Sequence, residues 1–141
     1  EVKFADKYLE IMSMRFRGKF SYEINIAENL QEVAIPDLLL QPIVENCIKH
    51  GMETVTENGE VRITAEMQEH QLVIKISDNG PGCEADKISA GVGIQNIRER
   101  LARLYHRPYA FDIKSARNKG TVVTFRLPLQ ENTSGENHDK N

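Results

Sequence analysis

The chain has 141 residues, of which 40% are hydrophobic and 28% charged, and its net charge is −3. That length suits one domain with its own core. Basic and acidic residues are mixed along the chain, so the sequence shows no basic patch of the kind that binds nucleic acid or an anionic membrane surface. No apolar run approaches the ~20 residues that a membrane-spanning helix needs. Two cysteines, Cys47 and Cys83, do not make a disulfide framework and favour a reduced, cytoplasmic setting. The chain has no secretory signal and begins at Glu1 rather than Met, so we expect a piece of a longer protein.

The first predicted element is a helix over Val2–Phe16, because its apolar residues recur at spacings of three and four. Apolar residues form stripes on two sides of this helix: Val2, Ala5, Leu9, Met12 and Phe16 on one, and Phe4, Tyr8 and Ile11 on the other. Such a helix either packs on its own domain or ends a helical module that lies upstream. The pattern leaves both interpretations open.

Alternation of apolar and polar residues predicts five strands further along the chain. They are Lys19–Ala27, Glu60–Met67, Leu72–Ser77, Ala110–Ser115 and Thr121–Leu127. Two more helices are predicted, Gln41–His50 and Ile94–Tyr105, the first with Pro42 in its first turn and Gly51 as its stop. Residues 130–141 hold no aliphatic or aromatic side chain and predict a disordered tail. This order predicts an α+β fold: a two-layer sandwich with a mixed, mostly antiparallel five-stranded sheet and about three helices on one face.

The helix over Gln41–His50 has a polar side. At 3.6 residues per turn, Pro42, Asn46, Lys49 and His50 share one face. An amide oxygen can ligate Mg²⁺ and a lysine can meet phosphates, so this face suits a phosphate chain and its metal. Taken alone, the segment is better explained as a half-buried helix with a solvated face.

Two glycine-containing segments follow that helix. Asp78-Asn79-Gly80-Pro81-Gly82 comes after a strand, where a carboxylate can accept a hydrogen bond from an exocyclic amine and glycines allow close approach. Gly91-Val92-Gly93 runs into a helix, whose first amides form an anion site. It is not a dinucleotide fingerprint, because the sixth position is Asn96 and no strand precedes it. The chain also lacks the GxxxxGK[ST] phosphate loop.

Together with Gly120-Thr121 before the last strand, these segments strongly resemble the ATP-binding superfamily of DNA gyrase, heat-shock chaperones, histidine kinases and mismatch-repair ATPases. The sequences QPIVENCIKHG and GVGIQNIRERL are similar to those of sensor histidine kinases of the LytS/YesM type. The resemblance covers about Tyr8 to Pro128. It implies ATP and Mg²⁺ as ligands and phosphoryl transfer to a histidine as the activity.

The resemblance also implies roles for the residues that match. Asn46 would ligate the Mg²⁺ that bridges the ATP phosphates, with Lys49 and His50 near the phosphates and the ribose; Asn46 and Lys49 are the expected catalytic residues.

For the base, the resemblance implies that Asp78 binds the adenine amino group with help from Thr121, while Gly80 and Gly82 let the base approach. The segment Cys83–Ala90 would be a short ATP lid. Gly91 and Gly93 would supply the hinge and the amides for the phosphates, and Ile94 is also expected to bind the cofactor.

One position departs from the hydrolytic branches of the superfamily. There a glutamate four residues before the metal-binding asparagine activates water, and here that position is Pro42, which cannot act as a base. Glu45 is about 100° around the helix from Asn46 and is not assigned that role. The departure favours a kinase, in which catalysis is mostly positioning and charge stabilisation.

None of the four histidines, His50, His70, His106 and His138, matches the family's acceptor segment. We therefore expect residues 1–18 to be a linker helix from an upstream dimerisation and acceptor module, and residues 19–129 to be the catalytic domain. The resemblance implies a response regulator as partner, a homodimeric full-length protein, and a cytoplasmic position in a bacterial membrane protein. The alternatives are a non-catalytic ATP-sensing module and a serine kinase of the anti-sigma-factor type.

Overall fold

The computed structural model describes residues 2–16, 19–30, 39–52, 58–82 and 92–128. Its helices are α1 (Val2–Arg15), α2 (Leu40–Asn46) and α3 (Val92–Leu104), with a 3-10 turn at Glu28–Leu30 and a π-helical turn at Cys47–Met52 that continues α2. Its strands are β1 (Phe20–Ile26), β2 (Gly59–Gln68), β3 (Gln71–Asp78), β4 (Ala110–Ser115) and β5 (Thr121–Pro128). The predicted fold class is confirmed. The predicted tail 130–141 and the lid Cys83–Ala90 lie outside the described residues.

The five strands form one sheet in the order β1-β2-β3-β5-β4. Strands β1 and β2 are parallel and are joined through α2, while the other neighbours are antiparallel. The hairpin between β2 and β3 turns at Glu69 and His70, whose φ angles are 52° and 69°. Two successive positive φ values are those of a type I′ turn, whose twist matches that of paired strands.

One face of the sheet carries the core. A row of aliphatic residues crosses all five strands in register, each beside the next: Ile24, Ile63, Ile76, Val123 and Ile113. Because side chains alternate along a strand, the residues two positions away from this row point to the same face. The helices cover this face, and α3 presents Ile94, Ile97 and Leu101, each at most 2% exposed.

Helix α1 packs against β1 and α2. Ala5 and Leu9 are fully buried there and join the core, so the helix packs on this domain, and the expectation that it is a linker from an upstream module stays a prediction. On its other side Ile11 is 54% and Met14 67% exposed. Across the described residues, no helix combines the length and apolar character needed to cross a bilayer.

The segment after Asn46 differs from its prediction. A regular helix was expected to His50 with Gly51 as its stop, but the backbone changes to π-helical hydrogen bonding at Cys47 and continues to Met52. A π turn closes its hydrogen bonds over five residues instead of four. The polar face predicted with 3.6 residues per turn, on which Lys49 and His50 follow Asn46, therefore does not extend beyond Asn46.

Candidate nucleotide site

Helix α2 and its π turn form one wall of the candidate site. Leu40, Ile43 and Val44 anchor α2 in the core, and Pro42 is its third residue, where the missing N–H has no helical partner. This anchoring leaves Asn46 half-buried at the end of α2 and Lys49 exposed in the π turn. The side chain of His50 lies outside the described residues.

Glu45 has a partner on its own helix. Its Oε2 accepts a hydrogen bond from Gln41 Nε2 at 3.1 Å, one turn earlier. The carboxylate is therefore held along the surface of α2, and this hydrogen bond gives Glu45 a local structural role.

Asp78 ends β3 as a half-buried carboxylate. Its Oδ1 accepts a hydrogen bond from the Gly80 main-chain N–H at 2.8 Å. Burial raises the pKa of Asp78 above its ordinary value, while the hydrogen bond from Gly80 acts in the opposite direction. The site thus holds a partly buried carboxylate whose ionised form is stabilised by the Gly80 N–H.

Thr121 lies beside Asp78, because the two residues are register partners across β3 and β5. The Thr121 hydroxyl is 2.8 Å from Ser115 Oγ, and Ser115 Oγ also donates to the Gly120 carbonyl at 3.1 Å. Sequence reasoning paired Asp78 with Thr121 but did not find Ser115. The alternation in β4 marks Ser115 only as a strand residue, and its contact arises from strand pairing.

Two glycines at this end of the sheet have positive φ and no room for a side chain. A Cβ at Gly120, where φ is 79°, would lie 2.1 Å from the Asp78 carbonyl oxygen. A Cβ at Gly82, where φ is 67°, would lie 2.1 Å from the Ala116 carbonyl oxygen. Gly82 was predicted to admit a base, and the close approach found here is to the β4–β5 turn of the same chain. Gly80 contributes its N–H to Asp78.

Asn79 joins the end of β3 to the start of β2. Its Oδ1 accepts a hydrogen bond from the Glu60 N–H at 2.7 Å, and its Nδ2 donates to the Asn58 carbonyl at 2.9 Å. Sequence reasoning read Asn79 as part of a turn. One of its two side-chain hydrogen bonds reaches β2 and the other reaches the residue just before β2, which spacing along the chain does not reveal.

The start of α3 lies near α2. A Cβ at Gly93 would be 3.9 Å from Pro42 Cβ, an ordinary van der Waals distance, so the first turns of the two helices are neighbours. Ile94, predicted to contact the cofactor, is 2% exposed and belongs to the hydrophobic core. Gly91 lies outside the described residues.

The predicted metal ligand is a single amide. Among the described residues, no group of three or more His, Cys, Asp or Glu side chains could hold a metal ion. An Mg²⁺ ion bound through Asn46 would take its other ligands from phosphate oxygens and water, as Mg²⁺ at nucleotide sites commonly does. The amide chemistry and partial burial of Asn46 fit that arrangement.

Comparison with known families and proteins gives a consistent result. The model of the family described as "Histidine kinase-, DNA gyrase B-, and HSP90-like ATPase" matches residues 34–131. The sensor protein LytS of Bacillus subtilis (strain 168) is 30% identical over 98% of this chain, and the sensor histidine kinase YesM of the same organism is 31% identical over 92%. The aligned parts make up 25% and 23% of those relatives, so the chain spans about a quarter of their length.

Among solved structures, the nucleotide-free catalytic domain of histidine kinase ThkA superposes with a TM-score of 0.67. The match covers 91% of this chain and 90% of that one at 16% sequence identity. At this identity the likeness concerns the fold, and it confirms the α+β arrangement described above.

Proposed function

Because the chain belongs to the histidine kinase-, DNA gyrase B-, and HSP90-like ATPase family, we propose that it binds Mg·ATP as the catalytic domain of a sensor histidine kinase. Its γ-phosphoryl group would pass to a histidine on a separate module of the same protein and from there to a response regulator. The relatives named as the sensor histidine kinase YesM and the sensor protein LytS support this assignment. We further propose that the intact protein is a homodimer attached to a membrane, with this domain on the cytoplasmic side.

The observation that carries the proposal is the environment of Asp78. Its carboxylate ends β3, accepts the Gly80 N–H at 2.8 Å, and lies beside Thr121 in register. A carboxylate held in this way accepts a hydrogen bond from the exocyclic amine of adenine. Guanine has a carbonyl oxygen at the same position of its ring, which a carboxylate repels. The site therefore favours adenine over guanine.

The phosphate end is assigned to the wall formed by α2. Asn46 would hold Mg²⁺ through its amide oxygen, and Lys49, exposed on the following turn, can reach the phosphates as a flexible point charge. When bound, Mg²⁺ neutralises the charge of the phosphate chain. Pro42 stands where hydrolytic relatives place a water-activating glutamate, so this wall offers no base at that position. The chemistry that remains is positioning of the γ-phosphoryl group for an acceptor brought from elsewhere.

Replacement of Asn46 tests the metal assignment. We expect Asn46→Ala to weaken Mg·ATP binding at least about tenfold, since losing even an outer-shell partner of a metal ligand typically costs about 10–100-fold. Isothermal titration calorimetry with ATP should be run in Mg²⁺ and again in EDTA. The two proteins should differ in Mg²⁺ and bind ATP alike in EDTA.

Asn25→Ala is the matched control, because Asn25 is an exposed asparagine on β1 whose side chain donates to Glu23. This variant should bind Mg·ATP as the parent does. If Asn46→Ala binds Mg·ATP as tightly as the parent, or if its defect is the same in EDTA, Asn46 is not the metal ligand.

A further inference from the structure

A row of polar side chains crosses three strands at the end of the sheet that holds the candidate site. Asp78 on β3 pairs in register with Thr121 on β5, and Thr121 pairs with Ser115 on β4. All three are half-buried. Because side chains alternate along a strand, they share a face with the core row two residues further along each strand: Ile76, Val123 and Ile113. Three polar side chains therefore stand on the face that elsewhere carries aliphatic ones.

The hydroxyl of Ser115 makes two contacts in this region. Its Oγ is 3.1 Å from the Gly120 carbonyl oxygen and 2.8 Å from Thr121 Oγ1. A carbonyl oxygen can only accept, so Ser115 is the donor in the first contact. Both contacts then have a proton of their own when Thr121 donates to Ser115. In this order the Thr121 proton is held by β4, and the lone pairs of Thr121 Oγ1 are left to accept from a ligand beside Asp78.

This order of protons decides which base the hydroxyl can serve. A hydroxyl that is free to rotate can accept from an amine or donate to a carbonyl oxygen. A hydroxyl whose proton is already held can only accept. Thr121 in that state and the Asp78 carboxylate present two acceptors on neighbouring strands. Such a pair suits the exocyclic amine of adenine and leaves a carbonyl oxygen at the same position of the ring without a donor.

We propose that Ser115 is a positioning residue that determines specificity: it holds the hydroxyl proton of Thr121, so that the site selects a purine with an amine rather than a carbonyl oxygen. The inference rests on the proposed nucleotide site. The competing explanation is that Ser115 only closes the β4–β5 turn through the Gly120 carbonyl. A residue that only closes the turn affects all nucleotides alike, whereas a residue that holds the Thr121 proton changes the preference between them.

The test compares ATP with ITP, whose base has a carbonyl oxygen where adenine has its amine. Isothermal titration calorimetry in Mg²⁺ gives the affinity of the chain for each nucleotide. In Ser115→Ala the released Thr121 hydroxyl can turn and donate to the carbonyl oxygen of ITP. The preference for ATP over ITP should therefore fall by about three- to tenfold, the net effect of one hydrogen bond. Ser115→Thr keeps a hydroxyl on a residue that suits a strand and should restore the preference to within about twofold of the parent.

A second background shows whether Ser115 acts through Thr121. Thr121→Val removes the hydroxyl and keeps the shape of the side chain, so in this background Ser115→Ala should change the preference by less than about twofold. Ser77→Ala is the matched control. Ser77 precedes Asp78 on β3, but it pairs with Val122 and points to the opposite face of the sheet. This variant should keep the preference of the parent.

Two results would overturn the role of Ser115 and leave the proposed function standing. One is a Ser115→Ala protein that keeps the parent's preference for ATP over ITP, whether or not both affinities fall. The other is an equal loss of preference on Ser115→Ala with and without the Thr121 hydroxyl. A parent that binds no ATP would instead overturn the proposed function, and the role of Ser115 with it.

Discussion

At the scale of single residues, Asp78 is placed for binding at the expense of stability. Burial raises the pKa of its carboxyl group above the ordinary aspartate value. At pH values between the ordinary pKa and the raised pKa, the folded protein therefore binds more protons than the unfolded chain. The free energy of unfolding therefore falls as the pH rises through that interval. A group retained against stability in this way is typical of a binding site.

We expect Asp78→Asn to remove this pH dependence and to raise the free energy of unfolding of the nucleotide-free protein at neutral pH relative to the parent. The amide keeps an oxygen for the Gly80 N–H and carries no charge to desolvate. Urea unfolding of both proteins at a series of pH values measures the difference, which should widen with rising pH. The same variant should lose preference for ATP over GTP. Asp112→Asn, an exposed change on β4, is the control. A neutral-pH stability below that of the parent would contradict this account.

At the scale of elements, the end of the sheet near Asp78 is closed by backbone contacts that require glycine. We expect Gly120→Ala to lower the free energy of unfolding by roughly 1–3 kcal/mol, because the new Cβ combines an unfavourable positive φ with an overlap against the Asp78 carbonyl oxygen. The shift of β3 against β5 should also weaken ATP binding. Denaturant unfolding gives the stability change.

Gly93→Ala provides the comparison. Gly93 lies in the first turn of α3 and its Cβ would have an ordinary contact with Pro42, so alanine should stabilise the helix by about 0.5–1 kcal/mol. The two glycine variants should therefore change stability in opposite directions. Equal stability of Gly120→Ala and the parent would show that the strand end can adjust without cost.

The elements that sequence reasoning found are those with a strong local pattern. The period of Ile94, Ile97 and Leu101 defined α3 closely, and alternation defined all five strands, because burial on one face of an element repeats at a fixed spacing. The π turn could not be found in this way, since a period of 3.6 assumes α-helical hydrogen bonding throughout. The contacts of Asn79 were missed for another reason: they join residues that are distant in the chain, and no local spacing records them.

At the scale of the whole molecule, the candidate site occupies one end of the sheet. Asp78 ends β3 there, Thr121 begins β5, and the first turn of α3 lies against α2. The opposite end holds the β2–β3 turn with His70, and His106 follows the last turn of α3. Both histidines are exposed. The 8 residues of β3 span about 25 Å and the 13 residues of α3 about 20 Å, so each histidine lies far from the site along its element.

This arrangement predicts that the chain binds Mg·ATP without phosphorylating His70 or His106. A γ-phosphoryl group held by the α2 wall, beside the first turn of α3 and at the same end of the sheet as Asp78, cannot reach across a rigid element of that length. In-line transfer needs the acceptor within contact distance of that group. Incubation with γ-labelled ATP, followed by a search for acid-labile label and its mapping by mass spectrometry, should give no labelled peptide from either histidine. A longer protein that includes the proposed acceptor module should acquire the label under the same conditions. The double variant His70→Ala/His106→Ala should bind ATP and support that labelling as the parent does. Label on His70 or His106 at a rate independent of protein concentration would contradict this geometry, whereas a rate that rises with concentration would report transfer between two copies.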